Sequence, residues 1–412
     1  MKKISVINEP AREIRVTGDY EVVVVGGGIS GVSAAVAAAR NNARVCLMEK
    51  TFALGGLATQ GNVTMWLPLC DGEGRQVTAG MAEELLKLSI ADLQKENEAA
   101  GMTKIPACWL SGGNQQNRRE KRYQVDFNPS AYLLALEKLA LDSGVDILYD
   151  TRFCAVRRED STVSHIIIEN KDGRSALRCG AVIDATGDAD VCFASGEETV
   201  TADANVPAAW FYTFGGGQLK RYRFTKPYSP VVKKDGKGPY FRGDTAEAVT
   251  DFLIESRKQL AEKLKSIREQ QPDSDVQLIM PPAVPDFRMT RRLSGRFTYS
   301  EAYVHKWLDD TIGLVGDWRK RGPVYAIPFS SLRGKHNGNL LAVGRCISVD
   351  NSAWDALRVY PPCVVTGEAA GTAAAMISSK NMNNFDSLDI QVLQDKLRDQ
   401  GVMLNPELTT KH

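Results

Sequence analysis

Apolar and polar positions alternate along this chain in two rhythms. "EVVVVGGGISGVSAAVAAARNNARVCLMEK" opens with an unbroken apolar run, Val22 to Val25, of the kind carried by a central parallel strand buried on both faces. An alanine-rich stretch from about Gly31 to Arg40 predicts a closely packing helix, and Arg44 to Met48 predicts a second strand, which makes a βαβ unit. Farther on, Asn128 is placed to cap and Pro129 to open a helix that Gly144 stops. "VDILYD", "RFCAVRRE", "VSHIIIEN" and "SALRCGAVIDATGDAD" read as a strand, a β-meander turned at Lys171-Asp172-Gly173-Arg174, and a final parallel strand. In "AAWFYTFGGG" the period of two puts Trp210, Tyr212 and Phe214 on one strand face, and Thr245 to Gln271 reads as a long amphipathic helix. Near the end, Leu340 to Val343 is strand-like and is followed by a Gly-Arg-Cys turn, a polar loop with two prolines, and a small-residue helix.

The first βα junction carries chemistry. Gly26, Gly28 and Gly31 supply G-x-G-x-x-G where strand turns into helix. Gly26 permits the tight turn, Gly28 lets backbone approach a pyrophosphate, and Gly31 lets the helix lie close to the sheet. Ile29 and Ser30 complete a first helical turn whose unpaired N–H groups and positive dipole end face phosphates. Glu49, with Lys50 after it, closes the second strand; a carboxylate there binds ribose hydroxyls and repels a 2′-phosphate. A second glycine pair follows in Gly55-Gly56-Leu57-Ala58-Thr59, suited to a loop folding back over the phosphates. Ala185-Thr186-Gly187 ends the last parallel strand in small residues that let backbone approach a nucleotide. The fingerprint alone leaves FAD and NAD both open.

Composition narrows the function classes. At 412 residues the chain is long for one domain and suggests two, interleaved; 43% hydrophobic and 25% charged residues are ordinary globular values. A net charge of +1 provides no field to draw in nucleic acid or an anionic membrane. The densest basic run, Arg118, Arg119, Glu120, Lys121 and Arg122, reads as a solvated loop. No apolar run approaches the roughly 18 residues of a membrane-spanning helix, and the first residues lack a signal-peptide core. The eight cysteines form no C-x-x-C pair and read as reduced thiols, so a cytoplasmic location is expected.

The motifs "VVVVGGGISG", "EK…LGGLAT", "VTAGMAEELL", "FNPSAYLLALEKLALDSGVDIL", "VIDATGDADV", "TRRLSG", "YAIPFSSL" and "NLLAVGRCISVDNSAWDALRVYPPCVVTGEAAGTAAA" come in one order over nearly the whole chain. In this the sequence resembles the FAD-dependent oxidoreductase family, within the glutathione-reductase-like flavoproteins. The resemblance implies an α/β fold: a Rossmann-type FAD-binding domain with an inserted β-meander, from residues 1–60, 123–199 and 331–412. An interleaved α+β substrate or cap domain then takes residues 61–122 and 200–330. It also accounts for two ligand-binding turns in one chain, since FAD is long. The C-terminal turn is expected to hold the flavin end, with Gly344 and Arg345 facing the ribityl or flavin region. The helix beginning around Val364 to Gly367 is expected to aim its positive end at the flavin.

Catalytic groups are harder to read. None of His165, His305, His336 and His412 falls in a cofactor motif, and no metal or nucleophile-elbow motif is present. With Cys46 and Cys346 the only thiols near those motifs, FAD is expected to be held non-covalently; Cys346 and Cys363 read as structural thiols. Because the flavin accepts the hydride itself, the protein needs an acid or base and cations near it. The family resemblance places Arg292, Arg358 and Tyr360 there, with Asp355 as a possible base. The expected activity is hydride transfer between a small organic substrate and flavin N5, with an unnamed electron acceptor and possible homo-oligomerisation. Two alternatives are a flavoprotein of cofactor biosynthesis or tRNA modification, and a non-catalytic FAD-containing electron-transfer subunit.

Overall fold

The computed structural model describes residues 7–224, 238–379 and 384–411; His412 lies outside them. Its main sheet uses β1 (Arg15–Val25), β2 (Val45–Met48), β3 (Asp146–Leu148), β4 (Arg152–Glu159), β5 (Thr162–Asn170) and β6 (Gly173–Asp184). The strand order is β3-β2-β1-β6-β5-β4. The first crossover, α1 (Ile29–Arg40), starts almost directly after β1, and α2 (Met81–Ser89) and α3 (Pro129–Asp142) follow. The α3 cap is the expected one, with the Asn128 side chain accepting from the Ser130 N–H.

Where the sequence suggested a meander and then a separate parallel strand, β6 performs both roles in twelve residues. Its first half pairs antiparallel with β5, Ile166 opposite Leu177. Its second half pairs parallel with a strand from far along the chain, placing Leu340 opposite Val182. β1 runs beside all of β6 because it begins at Arg15, well before its apolar run.

A second, antiparallel sheet comes from the 200–330 stretch: β7 (Trp210–Gly215), β8 (Gln218–Arg223) and β9 (Gln277–Met280), ordered β8-β7-β9. α4 (Ala246–Gln270), capped by Thr245, buries Leu260, Leu264 and Ile267 against Phe211 in a core of their own. The three alternate aromatics of β7 do not share one environment. Trp210 is half-buried, Tyr212 is buried with its hydroxyl 2.6 Å from that of Thr64, and Phe214 is exposed. The pairing with β9 slips between Tyr212 and Thr213, so the simple alternation does not persist.

The seventh strand of the main sheet, β10 (Leu340–Ala342), leads to α5 (Tyr360–Ser379), which packs along α1. Val22 and Val24 join these two helices in one core, while Val23 and Val25 face the meander side. The helices approach closely because of glycine: a Cβ on Gly371 would lie 2.1 Å from the Ala34 carbonyl oxygen. From the 61–122 stretch, α2 buries Met81, Leu85 and Leu86 in this same core. Among the described residues no helix is long and apolar enough to cross a membrane, and no cluster of His, Cys, Asp and Glu is arranged to hold a metal.

Candidate functional site

At the β1–α1 turn the three glycines meet three different surroundings. Gly26 has φ +106°, and a Cβ there would stand 2.6 Å from the Ala185 carbonyl oxygen. A Cβ on Gly31 would come within 1.8 Å of the Gly26 carbonyl oxygen. A Cβ on Gly28 would meet nothing within 4 Å, so the space beside it is open. Gly28 also caps α1, which has no side-chain cap hydrogen bond, so the first-turn N–H groups of Ile29, Ser30 and Gly31 keep no intrahelical partner. Open space at a helix N-terminus without a capping side chain suits a phosphate.

Around that opening the other cradle residues converge. Glu49 is buried, one carboxylate oxygen accepting from the Gly27 N–H at 2.7 Å and the other from the Thr51 N–H and hydroxyl, both 2.8 Å. A carboxylate so fixed still has unused acceptor capacity for a ribose hydroxyl. Lys50, in contrast, is exposed. The Gly55 N–H donates to the Gly27 carbonyl at 2.8 Å, bringing the second glycine pair alongside the first turn. Thr59 ties that loop by donating to the Leu54 carbonyl, Ala58 is buried, and Leu57 points onward into a cleft. Ala185, Thr186 and Gly187 close the far side, Thr186 held by Asp184 and Gly187 at φ +73°. These residues fit the pyrophosphate and adenosine end of FAD.

The second turn is built differently. Gly344 has φ +72°, donates its N–H to the Thr366 hydroxyl, and would strike the Ser30 side chain if it carried a Cβ. Arg345 does not spend its guanidinium on open space: it donates to the Gly187 and Phe287 carbonyls and to the Asp188 carboxylate, at 2.6, 3.0 and 2.8 Å. It is therefore a staple joining the β10–α5 turn to the end of β6 and to the stretch around Phe287. α5 begins at Tyr360, not near Val364 to Gly367. The two prolines taken for loop are its first turn, where a missing N–H costs nothing. Val364 and Gly367 lie one and two turns inside, buried on α1, where a Gly367 Cβ would stand 2.3 Å from the Ser30 carbonyl oxygen. They pack helices together; the positive end of α5 lies at Arg358, Val359 and Tyr360.

That end opens onto a cleft of about 380 Å³. Leu57, Val63 and Met65 line it from the segment after the second glycine pair, Val359 and Tyr360 from the start of α5, and Trp210, Arg223, Asp286 and Arg288 from the 200–330 stretch. Of the residues expected to act, Arg358 and Tyr360 line it. Arg358 holds Asp355 in a two-pronged ion pair at 2.6 and 3.1 Å, while Tyr360 donates to the Val63 carbonyl at 2.6 Å. Asp355, engaged with Arg358, is poorly placed to serve as a base. Arg292 is elsewhere: it is buried on the 291–293 strand with its guanidinium over the Trp354 ring. His305, bonded to the Thr409 carbonyl, and His165, beside Ser164, are not among the cleft residues. The basic run is partly anchored, Arg118 over Trp109 and Arg122 on the Trp318 carbonyl.

Asp286 and Arg288, which also line the cleft, carry no motif in the sequence. Asp286 is buried, and neither of its carboxylate oxygens has a hydrogen-bond partner. Burial raises its carboxyl far above the usual range; the Trp210 backbone N–H, too loosely placed for a hydrogen bond, and the Arg288 and Arg345 charges pull the other way. Burial also brings Arg288 down to about 10, helped by the charge of Arg358. The available signal was "PPAVPDFR", a proline-bracketed stretch too apolar for a surface loop yet carrying two opposite charges.

Known proteins that this chain is similar to identify its family. The family described as FAD dependent oxidoreductase matches residues 21–209 and 204–397. A thioredoxin reductase of Ureaplasma parvum is 33% identical over 72 residues, which is 18% of this chain and only 23% of that protein. A p-nitrophenol 4-monooxygenase of Pseudomonas putida superposes with a TM-score of 0.50 at 13% identity, over 94% of this chain and 85% of its own. A geranylgeranyl bacteriochlorophyll reductase-like protein of Thermoplasma acidophilum covers 95% and 90% at 14% identity, with a TM-score of 0.44. The first of these two structures supports the fold alone; the family match spans most of the chain. The chain belongs to the FAD dependent oxidoreductase family, and FAD is its cofactor.

Proposed function

We propose that this oxidoreductase moves a hydride between a small organic substrate and flavin N5, with the substrate in the cleft beside Tyr360 and with Asp286 exchanging the accompanying proton. FAD, when bound, supplies the acceptor or donor of the hydride. The chain's own task is to bind and orient the substrate, exclude water, and handle the proton that a C–H/O–H or C–H/N–H oxidation releases. One observation carries the reading: Asp286 is a buried carboxyl without a hydrogen-bond partner in the cleft that Leu57, after the second glycine pair, and Tyr360, at the start of α5, both line. A carboxyl kept neutral there gives a proton when substrate is reduced; when substrate is oxidised it must first ionise, and the carboxylate so formed takes the substrate's proton. Asp355, already paired with Arg358, does not offer that. Non-covalent holding belongs to the same reading, since burial keeps the thiols of Cys346 and Cys363 protonated and unreactive, Cys363 at about 12.

The test is an anaerobic screen for small organic molecules that bleach the bound flavin, followed by stopped-flow reduction with the best of them. Asp286→Asn keeps the shape and removes the exchangeable proton. It should retain FAD and be reduced roughly 10²–10⁴-fold more slowly, the usual range for a lost general acid or base. A variant reduced as fast as the parent removes Asp286 from the reaction.

A further inference from the structure

No hydrogen bond fixes the Asp286 carboxyl, since neither of its oxygens has a partner. Its place is set by what its segment is fastened to and by what lies against it. That segment, "MPPAVPDFR", leaves β9 at Met280 and carries three prolines, whose fixed φ stiffens it. It is tied to residues 60–62, which follow the second glycine pair. The Ala283 N–H donates to the Gln60 carbonyl at 2.7 Å. The Asn62 side-chain amide donates to the Met280 carbonyl at 3.2 Å and to the Trp210 carbonyl at 3.4 Å. Asn62 itself is buried, with φ +58°.

Gly61 sits between those anchors. A Cβ on it would stand 2.9 Å from an Asp286 carboxylate oxygen, and 2.8 Å from both the Cα and a methyl carbon of Leu57. Relaxed contacts between carbon atoms lie at about 3.5–4.0 Å, so a side chain there would push its neighbours away. The backbone of Gly61 is not in the left-handed region, so the close approach, and not its φ, calls for glycine. Leu57 and Asp286 both line the cleft, one from the second glycine loop and one from the 200–330 stretch. A carboxyl that exchanges a proton has to stay within hydrogen-bond reach of the reacting atom, and a displacement of about 1 Å is enough to slow it. We infer that Gly61 is a positioning residue: having no side chain, and with Asn62 holding the segment beside it, it seats the Asp286 carboxyl against Leu57 in the cleft. The inference rests on the proton-exchanging role proposed for Asp286.

The test is a double-mutant cycle on FAD-loaded protein. Gly61→Ala is made in the parent and in Asp286→Asn, and flavin reduction by the best substrate of the screen is measured per bound flavin. In the parent, Gly61→Ala should slow reduction roughly tenfold or more. In Asp286→Asn the same change should cost less than about twofold, because a residue that acts through Asp286 has nothing left to place. Asn62→Gly, which keeps the left-handed backbone accessible and adds no bulk, should show the same pattern with a smaller loss, and it replaces Gly61→Ala should that variant fail to hold FAD. A loss of equal size in both backgrounds overturns the proposal and leaves Gly61 as packing for the Leu57 loop, and an undiminished rate in the parent background overturns it as well. The infrared C=O band of the neutral carboxyl, identified by its disappearance in Asp286→Asn, reads the seat without any substrate. Gly61→Ala should shift that band, and a band left in place overturns the seating. A shifted band together with an Asp286→Asn variant reduced as fast as the parent supports the seat and overturns the proton role of Asp286.

Discussion

At the β1–α1 turn, three glycines do with backbone what the β10–α5 turn does with side chains. Gly26 and Gly31 are where they are because a Cβ would strike a carbonyl oxygen, and Gly28 because the space beside it has to stay open. The turn between β10 and α5 instead hangs on Arg345, which draws the Asp188 region and Phe287 together, and on the Arg358–Asp355 pair. A backbone device uses consecutive residues, so it can be read directly from sequence. A side-chain device joins residues that are far apart in the chain, and there the spacing carries no signal.

The largest expected effect breaks the first turn and leaves the second intact. Gly28→Val places a side chain in space that no protein atom occupies, at backbone angles of φ −63° and ψ 176° that valine accepts. Its cap had no side-chain hydrogen bond to lose. The variant should fold with a melting temperature close to that of flavin-free parent and purify without FAD. Acid precipitation of the parent should release its yellow colour into the supernatant, which gives the reference content. Stoichiometric flavin in Gly28→Val places the phosphates elsewhere, and colour left in the parent's pellet contradicts non-covalent holding.

A smaller effect tests whether the two turns are one rigid unit. α1 and α5 touch along a glycine stripe, and a Cβ on Gly371 would meet the Ala34 carbonyl oxygen and carbon at 2.1 and 2.9 Å. Gly371→Ala gains about 1 kcal/mol of helix propensity. Overpacking against backbone, which cannot swing aside as a side chain can, costs about 1–3 kcal/mol. The sum is a destabilised protein, with lower melting temperature and FAD affinity weakened together. An unchanged or raised melting temperature shows that the helices can part there, and then their close contact does not hold the two turns as one unit.

The same contrast explains what was legible. Val22 to Val25, the glycine turn, the α3 cap at Asn128 and the long helix after Thr245 are local patterns, and each formed close to where periodicity and capping placed it. The start of α5 was misplaced because Pro361 and Pro362 look like loop unless they are taken as the first helical turn. Arg292 and Asp355 were plausible by residue type, yet one is stacked over Trp354 and the other clasped by Arg358. Asp286 could not be singled out, because its importance comes from burial among residues 57–67, 208–223 and 358–360. No sequence window contains all of them.

The smallest effect lies on the back of α5. Glu368, one residue past Gly367, is buried and accepts the Met81 N–H at 3.0 Å, at the start of α2. Burial pushes its carboxyl up to about 8 and the Glu84 charge adds to that, while the Met81 N–H and Arg40 oppose it. Arg40 is largely committed to Glu84, with two contacts of 2.7 Å. An unfolded chain loses this proton near 4.5, the folded protein near 8. Between those values the folded state holds one proton more, so stability falls as pH rises and then levels off. The cost at the upper end is on the order of a few kcal/mol at most. Glu368→Gln can still accept the Met81 N–H and has nothing to ionise. Its melting temperature should equal the parent's near pH 5, exceed it by a few degrees near pH 9, and vary less in between. If the two melting curves stay parallel across that range, Glu368 is ionised in the fold and the α2 N-terminus and Arg40 outweigh its burial.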